Sequence, residues 1–373
     1  MNSSQTLKIG IPSYSIIRYY IISSLFPFSG KINIGTDYIE IPLDLKKYSD
    51  IFKSAIDSIN EFSDNQRYKI DIPGSKNDNK IFDKLKSKLG LSKDTKFVDM
   101  FEKYVNLLKN INLKDFESEL YPFYGQEGFS LPSIFNIELY GYTRGPFFQY
   151  GYKRDFKLSL HQMMLSLAGF AISRCLRTRI EKSYITLFSF PIDINQLYLF
   201  ADQKVNSILR KEKLLSIEPI EALILWLIFQ ANIRSNIYLI GLQDPAGQKP
   251  AELVLESVLP LETILNNNKD VIDHINNNTK IKNSIITLIS EAMKSGFRER
   301  NRKHEEELKV EDALRYTKLL FLAIQKSERD IRELMLRSSR IIINEAYVKD
   351  KPRTNISNLA REIAEDLSFI LRK

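Results

Sequence analysis

Between Pro219 and Phe229 the chain reads PIEALILWLIF, apolar on every side of a helical wheel except at Glu221. A helix of that kind has no face to give to water, so other elements must enclose it. The uncharged run around it, Ala222–Ile233, is 12 residues long, as is Tyr19–Gly30. Both fall short of the ~20 residues that cross a bilayer, so the enclosing body has to be protein. With 373 residues the chain can supply it: at roughly 150 residues per domain, that length predicts two or three domains. The start, MNSSQTLKIGIPSYS, lacks a basic stretch followed by an apolar one, so the expectation is a soluble, cytoplasmic protein. Cys175 is the only cysteine, which rules out an intrachain disulfide and every Cys-rich zinc site. His161, His274 and His304 are too scattered for a local metal motif, and no cofactor is expected.

The pattern along the chain predicts an α+β fold, mixed α/β in its N-terminal and central regions, followed by an all-α helical bundle. KINIGTDYIEIPLDL alternates with period two around Gly35-Thr36-Asp37, a hairpin signal. Tyr48–Phe62 carries apolar residues at 52, 55, 56 and 59 and reads as an amphipathic helix. Residues 63–95 are rich in Lys and Asp and read as an exposed insertion or a loosely packed helical pair, before helical spacing returns at Phe97–Leu108. A helix is expected over Leu158–Ile180, a strand over Ser183–Phe190 and a buried strand over Asn236–Leu242. From about residue 270 every segment has helical period: Ile281–Met293, Leu308–Ile324, Ile331–Ile342 and Ile356–Ile370, with Asn355 or Ser357 available to cap the last one. The expected domains are 1–135, 136–270 and 271–373.

The net charge of +8 favours a polyanionic partner, and three segments could hold one. The densest is ELYGYTRGPFFQYGYKRDF, residues 138–156, with seven aromatics in 19 residues. Tyr150 and Tyr152 offer stacking faces, and Arg144, Lys153 and Arg154 are interleaved with the aromatics. Cations meet phosphates while aromatic faces stack on unpaired bases, at about 1–3 kcal/mol per base. The same alternation is what a β-hairpin on a core would show. Arg174, Arg177 and Arg179 follow as a second basic cluster at helical spacing.

The second segment is GLQDPAGQKP, 241–250, after the predicted strand. Pro250 could open a helix running through Ser257, making an anion site at a helix N-terminus with Gln248 and Lys249 as side-chain donors. It is not a Walker A loop: Gly241 to Gly247 is one residue too long, and Gln248 stands where Lys is needed. The third lies on the expected bundle. Arg329, Arg332, Arg337 and Arg340 fall within an arc of about 140° at 100° per residue, although a salt-bridged solvated face would look the same. KSGFRERNRK adds Arg298 beside Gly296.

Catalytic motifs are sparse. Asp94-Thr95-Lys96 and Glu307-Leu308-Lys309 match the tail of a nuclease motif, but one sits in a polar stretch and the other in a helical one, without the strand context a metal site of that type needs. No Ser or Cys nucleophile motif lies near a histidine. A metal-dependent nuclease and a structural adaptor without nucleic-acid contact stay open as alternatives.

The opening KIGIPSYSIIRYY, the buried ALILWLIFQANIRSNIYLIGLQDP and the helical C-terminal third together resemble the large subunit of archaeal subtype I-A CRISPR interference complexes. That resemblance implies a non-catalytic subunit that sits with crRNA-bound Cas backbone subunits. It also implies help in recognising the protospacer-adjacent motif and in holding target DNA, while a separate Cas helicase-nuclease cuts it. The zinc site of some large subunits cannot be made with Cys175 alone.

Overall fold

The computed structural model describes residues 5–12, 16–66, 72, 74–121, 128–135, 157–180, 183–192, 194–211, 219–243, 251–294, 304–325 and 355–371. They form a mixed α+β fold divided into two compact units. One unit holds residues 1–177, 183–213 and 237–258; the other holds 178–182, 214–236 and 259–373. The three consecutive domains expected from the sequence do not follow this division, because the all-apolar helix near residue 225 is taken into the C-terminal unit.

In the first unit, β1 (Thr6–Gly10), β2 (Asn33–Ile34) and β3 (Tyr38–Pro42) form an antiparallel sheet in the order β1-β3-β2. Alternation buries Leu7, Ile9, Ile39 and Ile41, and the register Leu7↔Ile41, Ile9↔Ile39 puts them on one face. The expected hairpin closes through the Gly35 N–H to the Tyr38 carbonyl, 2.8 Å. Helix α1 (Ile16–Ser24) buries Tyr20, whose ring meets Phe135, Phe170, Phe188 and Phe190 at 5.5–5.7 Å between centroids. Helix α2 (Leu45–Gln66) buries Tyr48, Phe52, Ala55, Ile59 and Phe62, one stripe at helical spacing.

The described part of the polar stretch 63–95 follows the helical alternative rather than the exposed insertion. It contains α3 (Lys76–Lys88), which seats Phe82 and Leu85 in the core, Phe82 edge-on to Phe97 at 4.9 Å. Two apolar residues per helical face suffice to dock a helix whose other side is charged, and composition averages that away. Helices α4 (Phe97–Leu108) and α5 (Leu113–Leu120) follow, then the short strands β4 (Phe129–Ser130) and β5 (Lys157–Leu158).

Helix α6 (Leu160–Ser173) opens on a capping box in which the Ser159 hydroxyl accepts from the Gln162 N–H and the Gln162 side chain accepts from the Ser159 N–H, 3.1 Å each. It is buried along its whole length. Gly169 lets it touch α1: a Cβ there would sit 1.9 Å from the Tyr20 carbonyl oxygen. The helix expected to reach Ile180 stops at Ser173. Arg174–Ile180 is strand β6 at the edge of a four-stranded sheet, β6-β7-β8-β9, with β7 Ser183–Pro191, β8 Ile237–Gln243 and β9 Glu252–Leu259. The free edge of β7 captures a segment whose apolar spacing suits either state. Helices α7 (Leu197–Asp202) and α8 (Val205–Lys211) complete this unit.

In the second unit, α9 (Ile220–Phe229) buries every residue from Ala222 to Phe229. After α10 (Leu261–Asn267) and α11 (Lys269–Asn277) come α12 (Thr279–Met293), α13 (His304–Ile324) and α14 (Asn355–Leu371). Helix α9 packs on α12 and α13, and α12 on α13 and α14, so the last three provide the enclosure that the apolar run demands. The Asn278 side chain caps α12 by accepting from Ile281 N–H, 3.3 Å. Ser357 is no cap: it lies inside α14, fully buried, with its Oγ 3.4 Å from the Tyr316 hydroxyl. The segment expected as a helix over 331–342 lies outside the described residues. Among the described residues no helix is long and apolar enough to cross a membrane.

Candidate nucleic-acid interface

Much of the predicted interface falls on residues that are not described. Arg144, Tyr150, Tyr152, Lys153 and Arg154, Gln248 and Lys249, Arg298, and Arg329, Arg332, Arg337 and Arg340 lie outside the described residues. Their flanks are informative. Strands β4 and β5 pair antiparallel, Phe129↔Leu158 and Ser130↔Lys157, so the described residues on either side of the basic-aromatic segment meet at one two-stranded ladder. Gly128 permits that closure: a Cβ would meet the Leu158 carbonyl oxygen at 2.4 Å.

The turn Ser133–Phe135, which follows β4, is stapled to α3. Asp78, buried in the first turn of α3, accepts from the Ser75 N–H at 2.6 Å, the Ser133 N–H at 2.8 Å and the Ser133 hydroxyl at 2.5 Å. Charge-assisted bonds of this kind are the strong ones, and an acidic residue there also suits the helix dipole. The Lys84 ammonium lies 3.4 Å from the Gly128 carbonyl oxygen and 5.4 Å from the centre of the Phe129 ring.

On the opposite face of α3, Lys76, Lys80, Lys84 and Lys88 are all exposed. Spaced by four residues, they fall within an arc of about 120° and rise about 6 Å from one to the next. Asp83, beside this face on α3, is 3.8 Å from Lys93. At the far end, burial holds the Glu119 carboxyl above its ordinary range, with the Lys88 charge opposing it and Asp115 adding to it. A row of unburied ammonium groups is the arrangement that holds phosphates, each neutralised phosphate releasing counterions. Composition hid this row by presenting 63–95 as merely polar; the Lys-x-x-x-Lys repeat from Lys76 to Lys88, with Phe82 and Leu85 inside it, was the readable signal.

The Arg174 cluster is not a helical face. Arg174 is 1% exposed, its guanidinium carbon 3.9 Å from the centre of the Phe62 ring and 6.0 Å from that of Phe170. As a core residue it offers no surface to a phosphate, which corrects the sequence expectation. Arg177 is half-buried on the same strand, and Arg179 lies on that strand with its side chain outside the described residues. The loop 244–250 does not lead into a helix either. Residues Glu252–Leu259 are strand β9 beside β8, so the helix N-terminus proposed to hold an anion there does not exist. The alternating LVLESV run, paired along β8, favours the extended state.

Neither nuclease-like triplet lies on a strand: the Lys96 N–H donates to Asp99 at 3.2 Å at the start of α4, and Glu307 is on α13. Among the described residues no three His, Cys, Asp or Glu side chains gather into a metal site. Cys175 is buried, which pushes its thiol up to about 12 and makes it a poor nucleophile.

Fold and surface thus define a mixed α+β protein that carries a basic helix face pinned beside the root of a basic-aromatic segment. The family model for CRISPR-associated protein, CsaX, matches residues 41–305, or 265 of the 373, and the chain belongs to that family. The matched span includes α3, the β4–β5 ladder and the four-stranded sheet. No curated protein and no solved structure matches the chain.

Proposed function

We propose that this CRISPR-associated protein is a non-catalytic nucleic-acid-binding subunit of a CRISPR ribonucleoprotein, acting in the cytoplasm with other Cas proteins. The single observation that carries this reading is the exposed row Lys76, Lys80, Lys84 and Lys88 on the helix whose Asp78 holds Ser133, on the described flank of the basic-aromatic segment. The row grips a phosphate backbone, and Arg144, Lys153 and Arg154 extend the grip while Tyr150 and Tyr152 stack on unpaired bases. The finer assignment, a large subunit of an archaeal subtype I-A complex, rests on the sequence resemblance. It sits with crRNA-bound backbone subunits, helps read the protospacer-adjacent motif through Gln248 and Lys249, and leaves cleavage to a Cas helicase-nuclease.

Fluorescence anisotropy with a labelled single strand at several salt concentrations tests the core of this reading. Replacing all four α3 lysines by Ala should flatten the slope of log K against log salt by about 3, at ~0.7 per phosphate contact. An unchanged slope would remove α3 from the interface. Double Ala replacement of Gln248 and Lys249 should abolish discrimination between motif-bearing and scrambled duplexes while preserving overall affinity.

A further inference from the structure

A cavity of about 320 Å³ lies in the first unit, on the side of α2 that faces α7 and α8. Its lining is mixed: Phe26, Ile172, Leu197 and Phe200 supply the apolar part, and Ser, Asp, Glu, Asn, Lys and Arg side chains the rest. One wall is closed by an ion pair. Arg210, 5% exposed, donates from Nε to Glu61 Oε2 at 2.7 Å and from Nη1 to the carbonyls of Ile172 and Arg174 at 3.0 Å each. The Ser207 hydroxyl and Lys211 take the other Glu61 oxygen, at 2.8 and 3.3 Å. Burial alone would push the Glu61 carboxyl up, but these hydrogen bonds and the Arg210 charge outweigh it and hold the carboxyl below its ordinary range. The pair is thereby committed to the protein.

One buried polar group of the cavity lining has no partner in the fold, and exposed Asp57 and Lys204 stand at its mouth. Ser23 is 4% exposed, and its Oγ has no hydrogen-bond partner among the described residues. A buried hydroxyl without a partner asks for one from outside the protein. Asp57 and Ser58, one turn before Glu61 on α2, line the same space. Lys204, exposed on the cavity lining, is held at φ +50°, a left-handed backbone uncommon outside glycine. That residue closes α7, its N–H donating to the Ala201 carbonyl at 3.0 Å.

We propose that this cavity binds a nucleotide, with its base between the apolar walls, its polar edge against Ser23, Ser58 and Asp57, and its phosphate toward Lys204. The volume suits a nucleoside, whereas a guanidinium would leave the Phe26 and Phe200 side of the cavity empty. A carboxylate accepts two hydrogen bonds at once, so Asp57 favours guanine, whose N1–H and amino group are adjacent donors, over uracil, whose single N3–H lies between two carbonyls. The ligand is either a free nucleotide or one nucleotide of a single strand; the chemistry is shared. The inference stands apart from the α3 lysine row and survives its failure.

Calorimetric titration of the full-length chain with AMP, CMP, GMP and UMP, and with short single strands, tests it. GMP should bind at least about tenfold more tightly than UMP, and Asp57→Asn should narrow that gap. Ala201→Trp, which fills the cavity, should abolish binding, as should the milder Ala201→Leu if the Trp variant does not fold. The quadruple α3 Ala variant should bind mononucleotides as the wild type does. Full competition by mononucleotides would make the free nucleotide the ligand; binding of strands alone, lost in Ala201→Trp, would make it a strand nucleotide. Failure of every nucleotide to bind, binding indifferent to both Ala201 variants, or preference for an arginine amide would overturn the proposal.

Discussion

Two groups of cations in the first unit met opposite fates. On α3, four lysines project from a helix anchored by Phe82 and Leu85, and all four remain in water. On β6, Arg174 is drawn under the protein against Phe62, within the same short run that leaves Arg177 half exposed. Equal formal charge therefore says little about availability. What decides is whether the backbone state places the side chain toward solvent or toward an aromatic wall, where a weakly hydrated guanidinium is tolerated better than an ammonium.

This contrast can be broken by experiment. Arg174→Ala should be the most damaging change, costing about 3 kcal/mol or more of unfolding free energy through a lost ring contact and a new cavity. It should leave the salt slope of nucleic-acid binding by the folded protein untouched. Denaturant melts beside anisotropy titrations measure both; a salt slope that falls with Arg174 would make it a surface cation after all.

A titratable core group sharpens the same point. Burial lowers His161 to about 4, and its Nδ1 shares a 2.5 Å hydrogen bond with the Tyr104 hydroxyl. The folded state holds this ring neutral, whereas the unfolded chain takes up a proton near pH 6.5. Stability from this group is complete above pH 6.5 and is lost as pH falls toward 4, by up to about 3 kcal/mol. Urea midpoints at pH 7, 6, 5 and 4.5 should fall across that window, and the fall should shrink in His161→Gln.

Gly169→Ala should cost about 1–3 kcal/mol, because its Cβ would collide with the Tyr20 carbonyl rather than with a side chain that can turn aside. Smallest of all should be a single Lys80→Ala, within about 0.5 kcal/mol in stability and lowering the salt slope by ~0.7. A larger stability loss would mean that the lysine row packs rather than waits for phosphates.

Periodicity carried most of the fold. The hairpin at Gly35, the strand ending at Pro191 and the helices α2, α4, α9, α12 and α14 follow from which positions must leave water. The candidate site was harder to read. The basic-aromatic segment stood out by composition, but the α3 row sat in a stretch that looked bland, and the Ser23 and Asp57 cavity joins residues far apart in sequence. CRISPR association was legible from the global resemblance, and the family match supports it.

By itself the sequence determined that α9 must be enclosed and that no disulfide can form within the chain, because those conclusions need only side-chain chemistry and spacing. Tertiary structure decided the rest. Arg174–Ile180 and Glu252–Leu259 became strands because neighbouring strands offered unpaired backbone groups, a hydrogen-bonding opportunity invisible to local pattern. The same packing determined which cations of a basic chain stay at the surface.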